Sequence, residues 1–164
     1  MKLIAVAASV ALFALSLQAD AVDLLSTNGT GPVGNCQAAL PTYEGNIRKR
    51  PLAITNEGSG AAFVTCALAT EEVSLNVQSF ATRITNLSAA PATISCTAVV
   101  GDELEGADYI VKSATLAPLT SGSLTWNTAD NDGLLFAKSV AISCNLPPLT
   151  GLNRNRVTTL LSLI

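Results

Sequence analysis

The chain has 164 residues, 49% of them apolar and only 13% charged, with nine Lys plus Arg against twelve Asp plus Glu for a formal charge of −3. A weakly acidic protein lacks the cationic footprint that nucleic-acid binding demands. No histidine is present, which excludes Ser-His-Asp and Cys-His catalysis and His-bound catalytic zinc.

Residues 1–21 read as a secretory signal peptide of bacterial type: Lys2, a continuous apolar run to Leu17, then Ala19 and Ala21 in the small-x-small pattern of a cleavage site. The run is shorter than the roughly 20 residues that cross a bilayer, so stable membrane insertion is not expected. The mature chain, residues 22–164, has the size of one domain, with no dividing linker and no internal repeat that stands out. Residues 22–41, rich in Gly, Asn, Thr and Pro, read as a loosely ordered leader pinned by Cys36. Arg48-Lys49-Arg50-Pro51 reads as an exposed basic turn and Asn56-Glu57-Gly58-Ser59-Gly60 as another.

Strand signals follow. Val64, Cys66 and Leu68 share one phase, with Phe63 on the other; Val73, Leu75 and Val77 alternate with polar residues. Phe80, Thr82 and Ile84 continue the pattern after a one-residue phase shift near Ser79, the mark of a bulge. A turn at Asn86-Leu87-Ser88-Ala89-Ala90-Pro91 leads into a strand with Ile94, Cys96, Ala98 and Val100 inward. Further strands are expected from Tyr109 to Leu116, around Leu124-Thr125-Trp126, and over Ser139 to Cys144, ended by Pro147-Pro148. The apolar ending at residues 157–164 reads as a final core strand, or else as an exposed end open to edge pairing. Short alternating strands between turns, with little helical periodicity, predict an all-β antiparallel sandwich, jelly-roll or Ig-like.

The four cysteines, Cys36, Cys66, Cys96 and Cys144, all lie beyond the cleavage site. An even count in an exported chain predicts two disulfides in an oxidising compartment, secreted or periplasmic. Of three possible pairings, Cys36–Cys66 and Cys96–Cys144 are favoured. Without closely spaced cysteines or histidine a metal site is not expected, and no cofactor motif is present.

Phe63-Val64-Thr65-Cys66-Ala67-Leu68, Ile94-Ser95-Cys96-Thr97 and Val140-Ala141-Ile142-Ser143-Cys144-Asn145-Leu146-Pro147 resemble the cysteine strands of small exported bacterial four-cysteine β proteins. The chain departs from that pattern at Ala67, where proline is expected, and in its Arg-rich, apolar final stretch. The resemblance implies the fold and an envelope or extracellular location, and brings no activity or site residues with it.

Candidate chemistry is sparse. Glu71-Glu72, Asp102-Glu103-Leu104-Glu105, Asp108 and Asp130-Asn131-Asp132-Gly133 are acidic groups that a polysaccharide hydrolase or a calcium loop would need, and solvated turns are their ordinary role. Trp126, the one tryptophan, fits a sandwich core; flanked by Thr125 and Asn127, it is also the candidate for stacking on a sugar ring. Arg48-Lys49-Arg50 is a candidate for anionic headgroups. The leading reading is a non-enzymatic structural or recognition module, with glycan or another envelope protein as partner. The alternatives are a subunit that assembles through edge strands and a carboxylate-dependent polysaccharide hydrolase.

Overall fold

The computed structural model describes residues 23–68, 76–102, 106–136 and 139–162. The segment read as a signal peptide lies outside them, as do residues 73–75, Glu71-Glu72, residues 103–105 and 163–164. Eleven strands are formed: β1 (Asp23–Thr30), β2 (Cys36–Ala38), β3 (Ile47–Arg50), β4 (Ala53–Asn56), β5 (Ala62–Leu68), β6 (Val77–Asn86), β7 (Ala92–Asp102), β8 (Gly106–Leu116), β9 (Ser121–Asn127), β10 (Ser139–Leu146) and β11 (Thr150–Ser162). Alternation decides their faces. In β5, Ala62, Val64, Cys66 and Leu68 are buried while Phe63 and Ala67 are exposed, as expected for a strand with one side on a core.

Two antiparallel sheets result. One runs β3-β4-β11-β6-β9, with β1 added beside β11; the other runs β2-β5-β10-β7-β8. From β4 to β11 the chain passes back and forth between them, except at the β7–β8 hairpin. The eight strands form the sheets β4-β11-β6-β9 and β5-β10-β7-β8, which is jelly-roll topology. That resolves the choice between jelly roll and Ig-like. The sheets enclose Ile54, Val64, Phe80, Ile84, Ile94, Trp126, Phe136, Ile142, Leu146 and Leu152, all essentially without solvent contact. Phe80 sits at the centre of an aromatic cluster, stacked on Trp126 at 5.2 Å and meeting Phe136 edge-on at 4.9 Å. Such pairs add to stability beyond their buried area.

Both disulfides join neighbouring strands of the five-stranded sheet. Cys36 of β2 bonds Cys66 of β5, and Cys96 of β7 bonds Cys144 of β10, each pair directly opposite in register. The phase shift near Ser79 is a bulge: Thr158 faces Ser79 whereas Thr159 faces Val77.

Three expectations are corrected. The leader is not loosely ordered. Asp23–Thr30 pairs with β11 along eight residues, Pro32–Asn35 forms a helical turn, and Cys36–Ala38 pairs with β5. Open backbone on β11 supplies a template that overrides the strand-poor composition. The basic segment is no turn either; Ile47–Arg50 is an edge strand paired with β4, and the turn falls at Pro51-Leu52.

The third correction is an internal repeat. Ile54-Thr55-Asn56, five residues, Ala62, then Val64-Thr65-Cys66 recurs thirty positions later as Ile84-Thr85-Asn86, five residues, Ala92, then Ile94-Ser95-Cys96. Each copy is one strand of the first sheet, a crossover, and one strand of the second. In the first sheet the copies flank β11 in equivalent register, Ile54 and Ile84 both opposite Leu152, Thr55 and Thr85 both opposite Gly151. Gly151 permits that approach, since a Cβ there would lie 2.6 Å from the Ile54 carbonyl oxygen.

The repeated asparagines are buried and occupied. Asn56 Nδ2 donates to the carbonyls of Gly60 and Leu146 at 2.8 and 2.7 Å, and its Oδ1 accepts from the Gly58 amide. Asn86 Nδ2 donates to the carbonyls of Ala90, Leu116 and Ala117, and its Oδ1 accepts from the Ser88 amide and hydroxyl. Removing either amide strands several buried groups, each costing about 1–3 kcal/mol. Asn56→Ala and Asn86→Ala are each expected to destabilise the domain by about 3 kcal/mol or more in urea unfolding, whereas Asn127→Ala, a cap on an exposed turn, is expected to cost about 1 kcal/mol.

Candidate functional site

The outward phase of the five-stranded sheet forms an open face four strands wide from β8 to β5, roughly 14 Å at the usual strand spacing. Strand register places its residues in rows. The first row is Tyr109, Val99, Ala141 and Ala67; the next is Val111, Thr97, Ser143 and Thr65, followed by Gln37 of β2. Ser113, Ser95, Asn145 and Phe63 make the third. Tyr109 is 70% exposed and Val111 62%, so a ring and a branched aliphatic side chain stand together in solvent at the β8 edge. Hydroxyl ladders cross the strands beside them, with Ser113 to Ser95 at 2.9 Å and Thr93 to Thr115 at 2.8 Å. On the far side Phe63, 41% exposed, leans against Tyr43 with ring centres 6.0 Å apart. This face offers apolar rings and hydroxyl donors and acceptors, with no charged side chain in the three rows.

The sequence-predicted ligand residue is elsewhere. Trp126 has no solvent exposure: its ring is stacked on Phe80 between the sheets and its Nε1 donates to the Ile110 carbonyl at 2.9 Å. Neither ring face is open to a sugar, so its role is core packing. Tyr109 escaped notice because it lies one residue from the inward Ile110. The signal was its phase, shared with Val111, Ser113 and Thr115.

Of the acidic candidates, Glu71, Glu72, Glu103 and Glu105 lie outside the described residues. Asp130 accepts from Lys112 Nζ at 2.7 Å and from the Asn127 amide, closing a capped 3₁₀ turn. Among the described residues no group of three or more acids and cysteines is placed to hold a metal ion. Glu44 and Glu57 line one shallow groove of about 370 Å³, but Arg50 and Arg48 both bond the Glu57 carboxylate and hold it below its ordinary pKa. A carboxylate so held is no proton donor at neutral pH. That single carboxylate faces both Arg48 and Arg50, so the segment stays cationic, and Lys49 has no ion-pair partner among the described residues. The described part of the ending read as possibly exposed is paired: β11 bonds β6 on one side as far as Thr159, and β4 and then β1 on the other as far as Ser162.

No protein-family model matches the chain, and no curated protein matches it in sequence. Among solved structures, the xylan-binding module CBM15 is similar with a TM-score of 0.53 and 13% identity, covering 82% of this chain and 96% of that one. At that identity the likeness shows the fold alone. Xylanase10C from Cellvibrio japonicus, in complex with xylopentaose, gives 0.47 at 14% identity over 77% of this chain, which spans 26% of that enzyme. A xylan-binding domain from CBM22 gives 0.43 at 12% identity, covering 84% of this chain and 88% of that one. The chain shares the two-sheet sandwich of that CBM15 module.

Lys112 lies in the inward phase of β8 at the open side of the sandwich, where its ammonium also donates to the Thr125 carbonyl at 2.7 Å. It ties the edge strands β8 and β9 of opposite sheets. The hydrogen bond from Lys112, then that from the Asn127 amide, lowers the Asp130 pKa from its ordinary value. A depressed carboxylate adds stability above its unfolded pKa and loses it as pH falls through the folded one. Asp130→Asn is therefore expected to lower Tm by about 2–4 °C at pH 7. In thermal melts across pH, that gap should close as the solution is taken below the ordinary aspartate range and through the lowered Asp130 pKa.

Proposed function

We propose that this protein is an exported, non-catalytic recognition module that binds glycan across the outer face of its five-stranded sheet, with Tyr109 as the stacking platform. The observation that carries this reading is the exposed Tyr109 ring standing beside Val111 at the head of uncharged, hydroxyl-lined rows. A pyranose presents apolar C–H groups on its faces and hydroxyls around its rim, so it matches a ring flanked by Ser and Thr. Burying such a ring provides apolar contact while its polar tip stays wet. An exposed apolar patch of this kind on an otherwise polar sheet is a common mark of a binding surface. The sandwich shared with a xylan-binding module supports a neutral polysaccharide as the ligand class.

Two disulfides fit an oxidising compartment beyond the cytoplasm, and a secreted or periplasmic place agrees with the signal-peptide reading. Among the described residues no helix is long and apolar enough to cross a membrane. Assembly through the chain's ending loses its motive, because β11 is already paired on both sides. Nothing among the described residues favours the hydrolase reading, since the Glu57 carboxylate in the groove it shares with Glu44 is held by Arg48 and Arg50.

Glycan-array binding and titration of soluble polysaccharides test the proposal. The wild type is expected to bind neutral β-linked glycans, and Tyr109→Ala to weaken binding by about tenfold or more, the loss of ~1.4 kcal/mol or more. Because the side chain is exposed, Tm should move by less than about 2 °C. A blank array, or full affinity retained in Tyr109→Ala, rejects the reading.

A further inference from the structure

The opposite face of the sandwich has a different chemistry. In the six-stranded sheet, Arg154 of β11 stands directly across from Arg83 of β6, and Arg156 lies two residues further along the same face, opposite Ala81. All three are exposed. They line, with Ala81, Ser123 and Thr125, a groove of about 310 Å³ that contains no carboxylate. Among the described residues the ion pairs are Arg48–Glu57, Arg50–Glu57 and Lys112–Asp130, so this triad has no counter-charge.

Like charges directly opposite one another on neighbouring strands are destabilising. In a chain of net charge −3, three uncompensated guanidiniums in one groove are a local reversal of sign. Details of the packing hold them apart and ready. Arg83 Nη2 donates to Ser121 Oγ at 2.9 Å, which fixes one edge of its plane and leaves its other donors free. The Arg154 guanidinium lies over β1, where a Cβ on Gly29 would sit 2.7 Å from Nη2; the bare glycine makes the room. Strand geometry puts Arg154 and Arg83 about 5 Å apart at their backbones, and Arg154 and Arg156 about 7 Å apart. In this structure the Arg154 and Arg83 heads lie to opposite sides, over β1 and against β9; long side chains rooted at that spacing can swing inward onto one planar or tetrahedral oxyanion, which guanidiniums bind through paired N–H donors.

We propose that this groove is a second binding site, separate from the Tyr109 face, that clamps the oxyanion substituents of an acidic polysaccharide. Ser121, Ser123 and Thr125 supply hydroxyls along β9 for the sugar that bears the anion. Single-stranded nucleic acid fits less well: no aromatic side chain lines the groove for base stacking, and the net negative charge opposes a dense polyanion. The proposal stands on the arginine geometry alone and does not require Tyr109 to bind anything.

The test is binding of the purified protein to immobilised polygalacturonate, heparin, neutral dextran and a single-stranded oligonucleotide in about 50 mM salt. Polygalacturonate and heparin separate a carboxylate substituent from a sulfate. Binding to at least one of the two is expected, stronger than to dextran or the oligonucleotide, and weakened about tenfold or more at ~500 mM salt. The triple variant Arg83→Gln, Arg154→Gln, Arg156→Gln should lose about tenfold or more in affinity, and Arg154→Lys should lose part of it, because an ammonium cannot form the fork. Tyr109→Ala should bind the acidic polymer as the wild type does. Relief of repulsion should keep or raise Tm in Arg154→Gln, which serves as the folded control and should by itself weaken binding. No binding to either acidic polymer, unchanged affinity in the triple variant, or tighter binding of the oligonucleotide than of both polysaccharides would overturn the proposal.

Discussion

At one end of this sandwich the chain must cross between sheets four times, from β4 to β5, β6 to β7, β8 to β9 and β10 to β11. Each crossing carries peptide groups past the rim of an apolar core, where an unpaired N–H or C=O is costly. Two buried asparagines satisfy this requirement. Asn56 ties the β4–β5 crossing to the end of β10 through the Leu146 carbonyl, and Asn86 ties the β6–β7 crossing to the end of β8 through the Leu116 carbonyl. Backbone bonds complete the lattice: Leu149 N–H donates to the Asn56 carbonyl, Leu87 N–H to that of Leu149, and Asn86 N–H to that of Thr120. All four crossings are thereby one hydrogen-bonded unit. The sheets can separate at that end only by breaking it.

The repeat containing those asparagines bears on how much was legible. Alternation in β5, β7 and β10 marked the inward residues without ambiguity, and the phase slip at Ser79 located a bulge that bends β6 against β11. The favoured cysteine pairs, each joining neighbours along the chain, are the ones formed. The Ile-Thr-Asn repeat is equally present in the sequence, but its copies agree at few positions and only the shared register against Leu152 and Gly151 gives them meaning.

Local composition misled where tertiary pairing dominates. Residues 23–30 are as rich in Gly, Asn and Thr as a loop, yet β11 is thirteen residues long and β4 covers only its first part. The remaining open backbone takes up β1. Arg48-Lys49-Arg50 became a strand by pairing with β4, and Glu57, just beyond β4, offsets part of its charge. The aromatic residues turn on parity. Trp126 lies between Thr125 and Asn127 and Tyr109 between Asp108 and Ile110, and a shift of one residue exchanges core and surface. Composition alone cannot separate them; the partner strand does.

That same parity makes two unrelated surfaces compatible with one core. Outward residues of the five-stranded sheet and outward residues of the six-stranded sheet share no contact, because everything between them belongs to the inward phase. The two disulfides tie β2 to β5 and β7 to β10 in the sheet whose edge strand β8 presents Tyr109. The arginine face has no such links and is held by the long β11–β6 ladder. The two solutions differ because their needs differ. A stacking surface requires a planar array with its side chains fixed in advance. A guanidinium groove needs only adjacent strands, since flexible side chains do the converging. The uncompensated pair Arg83–Arg154 is then intelligible as a local cost borne by a fold whose stability is secured elsewhere, at the asparagine-bonded crossings and in the Phe80–Trp126–Phe136 cluster.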